Sequence, residues 1–500
     1  MSRGILVENS PSVVYSYAMI LIVRSADIAR VDQRAQEEAH IPELLLMESA
    51  GLQAWQHLKP RLQKGQRLLF VVGGGNNGGD ALVVSRYAYH DGYTDQSLLL
   101  LGSTISPACH QQRMIIEEYP IKTIGPDEAA QSLIESDWVI DGIAGTGLIG
   151  PLKEALHSLV DQINDSDAKV FSIDIPSGIG DEISANALSI KADVTLTMGA
   201  RKLAMYHPAT RQRCGDIVVV NPSFPPAILN QVPAQAFLVE TGPTLLPLDK
   251  DEYKKSRGHL GIWGGSKPYS GALRLAGRAA FAARGGLVTL VCDPEITQIV
   301  STETPSAMVR TPADANPATY DALLAGPGWG EGRQSVLKTL LDSQRPMVID
   351  ADGIRAYATL KDHITSSAIL TPHLGELQVL LDEKIEMLSP SVFLDRIRAF
   401  ATNRGVTLVV KSSLTHIVDE KGEIFIIEGG NPSLGVGGSG DILAGIIGAL
   451  LARGLQNTTA ALQGVLIHQR AGQLAHQDLG YYDSEQLIEF VGKACCEAES

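Results

Sequence analysis

The residues with the clearest chemical potential lie near the C-terminus, in Gly435-Val436-Gly437-Gly438-Ser439-Gly440-Asp441. The glycines free the backbone for positive φ and for close approach to a ligand. Behind them, Ile442, Leu443, Ile446, Ile447, Leu450 and Leu451 are spaced to make a helix that is apolar nearly all round, and Arg453 with Gly454 supply a cation and a C-cap. A helix of this kind is buried, and its N-terminus offers unpaired N–H groups and partial positive charge, which suits a phosphate. Asp441 has two readings. As a first-turn acid it complements the helix dipole. As a base it takes a proton from a hydroxyl that attacks the bound phosphate.

Other polar groups fall at the ends of short apolar runs. In the second half of the chain these are Gly264-Gly265-Ser266, Gly326-Pro327-Gly328, Asp350-Ala351-Asp352-Gly353, Thr371-Pro372-His373-Leu374-Gly375-Glu376, and Lys411 with Ser412, Ser413, Leu414 and Thr415. Each has a plain structural reading: a turn former in Asp352, a satisfied loop histidine in His373, a helix acid in Glu376, a solvated charge in Lys411. In the first half, Gly73 to Asp80, Asp141 to Gly150 and Asp174-Ile175-Pro176-Ser177-Gly178 leave strand ends together, and their convergence points to one crevice. Gly73-Gly74-Gly75-Asn76-Asn77 lacks the spacing of a dinucleotide fingerprint, which disfavours hydride transfer.

The elements that must hold these groups are read from apolar periodicity. Helical patterns over 25–40 and 44–55 precede a strand at 67–72 and a helix at 81–90, with further strands at 97–101, 138–141, 170–174, 193–197 and 217–220. A second alternation has strands at 259–263, 287–291, 322–325, 347–350, 369–371 and 406–410, a hairpin at 414–427, and closing helices at 462–476 and 484–493. Such alternation predicts α/β architecture with mostly parallel sheets, ligands lying at the carboxyl ends of the strands. Between the halves, Asn221 to Leu248 holds six prolines and few charges. The expected organisation is an extension at 1–24, a first domain at 25–225, a linker at 226–250 and a second domain at 251–500.

The chain has 500 residues, 44% of them hydrophobic and 19% charged, which fits an ordered protein of two domains. A formal charge of −15 with no basic block argues against nucleic-acid binding. No run reaches membrane-spanning length; Val13 to Val23 is too short and has only Arg3 before it. Cys109, Cys214, Cys292, Cys495 and Cys496 lack zinc spacing and fit reduced thiols, hence a cytoplasmic location.

From about Ser25 onward the order and spacing of these motifs resemble the bifunctional NAD(P)H-hydrate repair enzymes, in which an epimerase is fused to a nucleotide-dependent dehydratase. The resemblance implies an N-terminal Rossmann-like three-layer α/β/α sandwich that interconverts the R and S epimers of hydrated NADH and NADPH (NADHX and NADPHX). It also implies a C-terminal ribokinase-like α/β domain that dehydrates the S epimer. By carry-over, Asn76, Asn77, Gly78, Gly79, Asp80, Gly145, Thr146, Gly147, Leu148, Ile149, Gly150, Pro151 and Asp174 would hold the hydrate in the first domain, and Asn77, Asp141 and Ser177 would contact K+. Asp174 is the acid–base candidate there. In the second domain, Ala272, Gly328, His373 and Asp441 would hold the hydrate. Lys411, Ser412, Ser413, Leu414 and Thr415 with Gly437, Gly438, Ser439 and Gly440 would hold the nucleotide, ADP with ATP as the fallback, carrying Mg2+. Asp441 would be its base. The partners implied are the two small-molecule hydrates and a second copy of the chain in a homo-oligomer. Ala81, Leu374 and Ser412-Ser413 depart from the family pattern, where glycine, proline and Gly-Ala are usual. The rival expectation is a ribokinase-like kinase whose first domain is a non-catalytic binding module.

Overall fold

The computed structural model describes residues 2–10, 13–102, 104–360 and 368–499. The chain divides into two compact units, one of residues 21–235 with 386–394 and one of residues 2–20, 236–385 and 395–500.

In the first unit the central strand Leu68–Val72 is apolar at every position because both of its faces are covered. Leu68, Phe70 and Val72 enter one core with Ala54, Trp55 and Leu82, while Leu69 and Val71 enter the opposite core with Val139 and Val160. That is the period of two expected of a pleated strand, and each such side chain contributes roughly 1.5–3 kcal/mol by its burial. The sheet has seven parallel strands in spatial order Asp216–Val220, Val194–Met198, Lys169–Ile173, Trp138–Gly142, Leu68–Val72, Gln96–Leu100 and Lys122–Ile124. Chain order reverses between Leu68–Val72 and Trp138–Gly142, so the loops leaving these strands border one crevice.

The second unit repeats the logic. The strands Met308–Arg310, Leu287–Val291, His259–Trp263, Ala322–Ala325, Met347–Ile349, Ala368–Leu370 and Thr407–Val410 run parallel in that spatial order. Leu414–Val418 and Ile424–Glu428 follow antiparallel, as the hairpin expectation had it. The reversal falls between His259–Trp263 and Ala322–Ala325, where Gly264 and Gly326 begin their loops. The helix Ser439–Ala452 is buried along nearly its whole length and packs on Ser270–Ala282 so closely that a Cβ on Gly445 would sit 2.2 Å from the Ala276 carbonyl oxygen. The unit is an α/β fold built on a mostly parallel sheet.

Three features differ from the sequence reading. Asn76–His90 and Ser439–Ala452 begin before the expected starts at Ala81 and Ile442: Gly78 packs against backbone inside the first helix, and Gly438 forms a left-handed cap against the Leu275 and Ser484 side chains before the second. A Cβ on Gly78 would stand 2.1 Å from the Gly73 carbonyl oxygen. Residues 226–250 hold the helix Pro226–Leu229 and the strand Ala236–Val239, which pairs in parallel with Ile424–Glu428. Of residues 1–24, Ser2–Ser10 and Val13–Val23 form an antiparallel pair, while residues 1, 11 and 12 lie outside the described residues. All five cysteines are free, and among the described residues no helix is long and apolar enough to cross a membrane.

Candidate active sites

The first unit has a cavity of about 590 Å³ at its topological switch. Asn76, Asn77, Asp80, Gly145, Thr146, Gly147, Leu148 and Asp174 line it, so most of the residues singled out in the sequence converge. Gly78, Gly79, Ile149, Gly150 and Pro151 do not line it: Gly79 packs against Met47, and Ile149 is 97% exposed. The apolar wall comes from Ile28, Leu46, Met47 and Phe224.

Asp174 follows the strand Lys169–Ile173 in the left-handed region, φ 69°, an unusual conformation for a non-glycine residue, and its carboxylate lines the cavity. Lys202, which the sequence reading missed, lies behind it with no side-chain exposure. Its Nζ donates to Asp174 Oδ1 at 2.6 Å, Thr197 Oγ1 at 2.6 Å and the Met198 carbonyl at 2.7 Å, which uses all three ammonium hydrogens. Burial alone would raise the Asp174 carboxyl, but the Lys202 charge and hydrogen bond, with the Thr146 N–H, outweigh it and hold the group below the usual carboxylate range. The available signal for Lys202 was a cationic pair, Arg201-Lys202, flanked by apolar residues just past a strand's carboxyl end.

Asp141 is buried and fully engaged: Ser177 Oγ, Ser172 Oγ, Ser177 N and Ile143 N donate to it at 2.6, 2.8, 2.9 and 3.2 Å. It thereby pins the loop at 174–178 to the loop that follows Trp138–Gly142. Asn77 differs, for both atoms of its buried side-chain amide lack a hydrogen-bond partner. A Cβ on Gly145 would lie 3.3 Å from Asn77 Oδ1 and 3.2 Å from Asp174 Oδ2, so the missing side chain leaves a notch between two oxygen donors. An unpartnered buried amide oxygen beside a carboxylate oxygen has the donor chemistry of a hard cation site.

In the second unit the helix at Ser439–Ala452 is capped by Gly438, whose φ of +91° and close neighbours Leu275 and Ser484 exclude a side chain. Asp441 lies in its first turn. Burial, then the nearby Asp350, pushes its carboxyl up to about 7 against the opposing charge of Lys411, with Asp352 and Glu376 adding to the rise. Lys411 Nζ meets Asp350 Oδ1 at 2.7 Å, and Thr371 Oγ1 donates to the same oxygen at 2.7 Å. The ammonium also lies 3.4 Å from where a Gly440 Cβ would be, so it faces the glycine turn and is not a free solvated charge. Ser439 Oγ contacts His468 Nε2 at 3.0 Å, and burial pushes that imidazole down to about 4, leaving it neutral.

The remaining candidates separate. His373 caps the helix Leu374–Leu381: its Nδ1 accepts from Glu376 N at 3.2 Å and Glu376 Oε2 accepts from His373 N at 2.9 Å. Those contacts give both residues their plain capping role, yet the imidazole stays 57% exposed. Asp352 accepts from Gly330 N at 2.8 Å and so ties two strand-end loops together. Gly328 has φ +57°, and a Cβ there would stand 2.3 Å from the Tyr269 carbonyl and 3.1 Å from Ala272 Cβ, which brings these two candidates into contact. Ser412 uses its hydroxyl on Leu414 N, Leu414 is buried, and Ser413 is exposed. Gly328→Ala is therefore expected to lower stability by about 1–3 kcal/mol and to misplace Ala272, measured as thermal unfolding and as a raised KM for the substrate of this site.

Residues 260–492 match the family described as NAD(P)H-hydrate dehydratase, and residues 43–204 the family described as YjeF-related protein N-terminus. The bifunctional NAD(P)H-hydrate repair enzyme Nnr of Coxiella burnetii is 32% identical over 485 residues, covering 92% of this chain and 96% of that protein. The enzyme of the same name from Gloeobacter violaceus is 30% identical over 502 residues, covering 90% and 93%. Among solved structures, a ribokinase-like superfamily protein of Enterococcus faecalis aligns over 52% of this chain and 93% of its own at 26% identity, TM-score 0.47. The ADP/ATP-dependent NAD(P)H-hydrate dehydratase of Bacillus subtilis, co-crystallised with ATP and Mg2+, aligns over 51% and 95% at 23% identity, TM-score 0.46. With matched segments in both units and similarity along nearly its whole length, the chain belongs to the bifunctional NAD(P)H-hydrate repair enzymes.

Proposed function

We propose that the first unit interconverts the R and S epimers of NADHX and NADPHX, and that the second dehydrates the S epimer to NADH or NADPH with ADP as the phosphoryl donor, releasing AMP and phosphate. The observation that carries the second half is a single carboxyl near pKa 7 in the first turn of a buried, glycine-capped helix. Hydroxide leaves poorly, so the ring hydroxyl must first become a phosphate ester. Asp441 takes the hydroxyl proton as the oxygen attacks the terminal phosphate, and the N–H groups of the glycine turn with the Lys411 ammonium stabilise the charge that develops; phosphate departs as the ring nitrogen pushes in its electron pair, and the iminium so formed loses a proton from the neighbouring ring carbon to solvent, which leaves the reduced nicotinamide. Mg2+ comes with the nucleotide: among the described residues no three His, Cys, Asp or Glu side chains form a metal-binding group, and this ion is commonly held through phosphate oxygens and water.

In the first unit the apolar wall takes the face of the nicotinamide ring, and the acidic rim repels phosphate, so the ring end of the hydrate enters the cavity. Asp174, kept ionised by Lys202, moves the proton at the hydrated carbon's hydroxyl. Asn77 with Asp141 and Ser177 would hold K+, which would supply a fixed positive charge to the site. Asn77→Ala is expected to abolish the potassium dependence of epimerisation and of thermal stability, which titration of the unfolding temperature with KCl against NaCl checks. The donor and the product class are tested together by incubating the chain with purified S epimer, Mg2+ and either ADP or ATP. Free phosphate released in step with NADH, faster with ADP, is expected. Accumulation of a stable phosphorylated substrate favours the small-molecule kinase reading instead.

A further inference from the structure

The cavity of the first unit is lined by Asp32, Glu43, Asp80 and Asp174 and by no lysine, arginine or histidine. Three of the four have partners: Asp32 accepts from Gln36 Nε2 at 2.9 Å, Glu43 from Asn76 Nδ2 at 2.7 Å, and Asp174 from Lys202. Asp80, on the helix Asn76–His90, has no hydrogen-bond or ion-pair partner among the described residues. The charged and titratable groups that face it are acids or a thiol: Asp174 from the strand end, Asp32 from the helix Ser25–Glu37, Glu43 from the helix Glu43–Leu58, and Cys109 from the helix Pro107–Ile116. The two nearby cations are engaged elsewhere, Lys202 on Asp174 and Arg113 on the Leu101 carbonyl at 3.2 Å.

We propose that Asp80 is a second catalytic residue of the epimerisation, the proton donor that acts on the hydrated carbon from a different wall of the cavity than Asp174. The proposal rests on the epimerase reading of this unit. An unpaired carboxyl among three others cannot ionise cheaply, so burial first, and then Asp174, Asp32 and Glu43, push Asp80 well above the usual carboxylate range. Asp174 is held below that range. Two carboxyls in one cavity whose environments drive them apart are suited to acid and base roles. Inverting the hydrated carbon requires one of its bonds to break and to form again on the other face. The ring nitrogen pushes its lone pair into a C=N bond as the C–O bond breaks, and Asp80 gives its proton to the departing oxygen, which leaves as water. Water then adds to the opposite face of the planar iminium carbon, the electron pair returns to nitrogen, and Asp174 accepts the proton lost by the incoming water. One proton has passed from Asp80 to Asp174; it returns through solvent, or the reverse epimerisation uses it.

The test uses the full chain and purified R epimer. Asp80→Asn keeps the size and a hydrogen bond but cannot transfer a proton, so epimerisation is expected to fall by about a hundredfold or more, with partial recovery in Asp80→Glu. Dehydration of purified S epimer by the other unit serves as the internal control. Two measurements on the unaltered chain need no variant: the epimerisation rate should fall as pH rises through the raised pKa of Asp80, and heavy oxygen from labelled water should enter the hydrate at the rate of epimerisation. Asp80→Asn within tenfold of the unaltered rate, no loss of rate at high pH, or epimerisation without oxygen exchange overturns the proposal. Absence of epimerisation in the unaltered chain instead overturns the reading of the unit on which it stands.

Discussion

Replacing Asp441 by asparagine is expected to lower nucleotide-dependent dehydration by about a hundredfold or more while leaving nucleotide affinity within a few-fold. The variant keeps the shape of the first turn but removes the first-turn carboxyl proposed to take a proton from the attacking hydroxyl. Because that carboxyl sits at about 7, kcat/KM for the S epimer should rise with pH up to about 7 and level off above it, and Asp441→Asn should flatten the rise. The same carboxyl has a stability consequence of opposite sign. A folded-state pKa above the unfolded value means that its stabilising contribution is complete below about pH 4 and is lost as pH rises through 7. Asp441→Asn should therefore leave unfolding unchanged near pH 4 and stabilise the second unit at pH 8, on the order of 4 kcal/mol. A variant that is both slower and more stable separates a functional acid from a structural one. A loss of activity under about tenfold removes Asp441 from the role of base.

Lys202→Met is the second large effect. Removing one partner of a buried pair strands the other charge, at a cost of about 3–5 kcal/mol. The double variant Lys202→Met/Asp174→Asn should recover part of that loss, since it leaves no isolated charge. Asp174 has a depressed folded-state pKa, so its stabilising contribution exists above its unfolded pKa and is lost as pH falls through the folded value. The penalty of Lys202→Met, read from denaturant unfolding of the first unit, should accordingly shrink in acid. Epimerisation should be absent in both variants, and dehydration of purified S epimer should persist because the second unit is untouched. Equal stability of Lys202→Met and the unaltered chain would show that the pair is not buried in solution.

Much of this organisation was legible in the chain because the physical signals were local. The run from Ile442 to Leu451 is apolar on every face, and a helix of that kind can only be interior. The continuous apolar strand at 68–72 and the alternation of strands with helices announced sheets covered on both sides, and glycines at strand ends marked where backbones meet. What was hidden depended on the third dimension. Nothing near Lys202 in sequence reveals that its ammonium reaches Asp174, a partner 28 residues away, and Asp32 and Glu43 become part of a cavity only when their helices fold over the switch point. The early helix starts at Asn76 and Ser439 were misread for a related reason: glycine runs normally signal loops, whereas here they allow close helix packing and a left-handed cap. His373 and Glu376 show the limit in the other direction, since a capping box and a ligand-facing imidazole share one sequence signature.

The most direct measurement is the absorbance of the reduced-nicotinamide band after the chain, Mg2+ and ADP are added to a mixture of both NADHX epimers. Complete recovery of NADH, faster than spontaneous epimerisation allows, is the predicted result, since it requires both units to work in one chain. Recovery that halts when one epimer is consumed would contradict the epimerase assignment, and no recovery with either ADP or ATP would contradict the repair function.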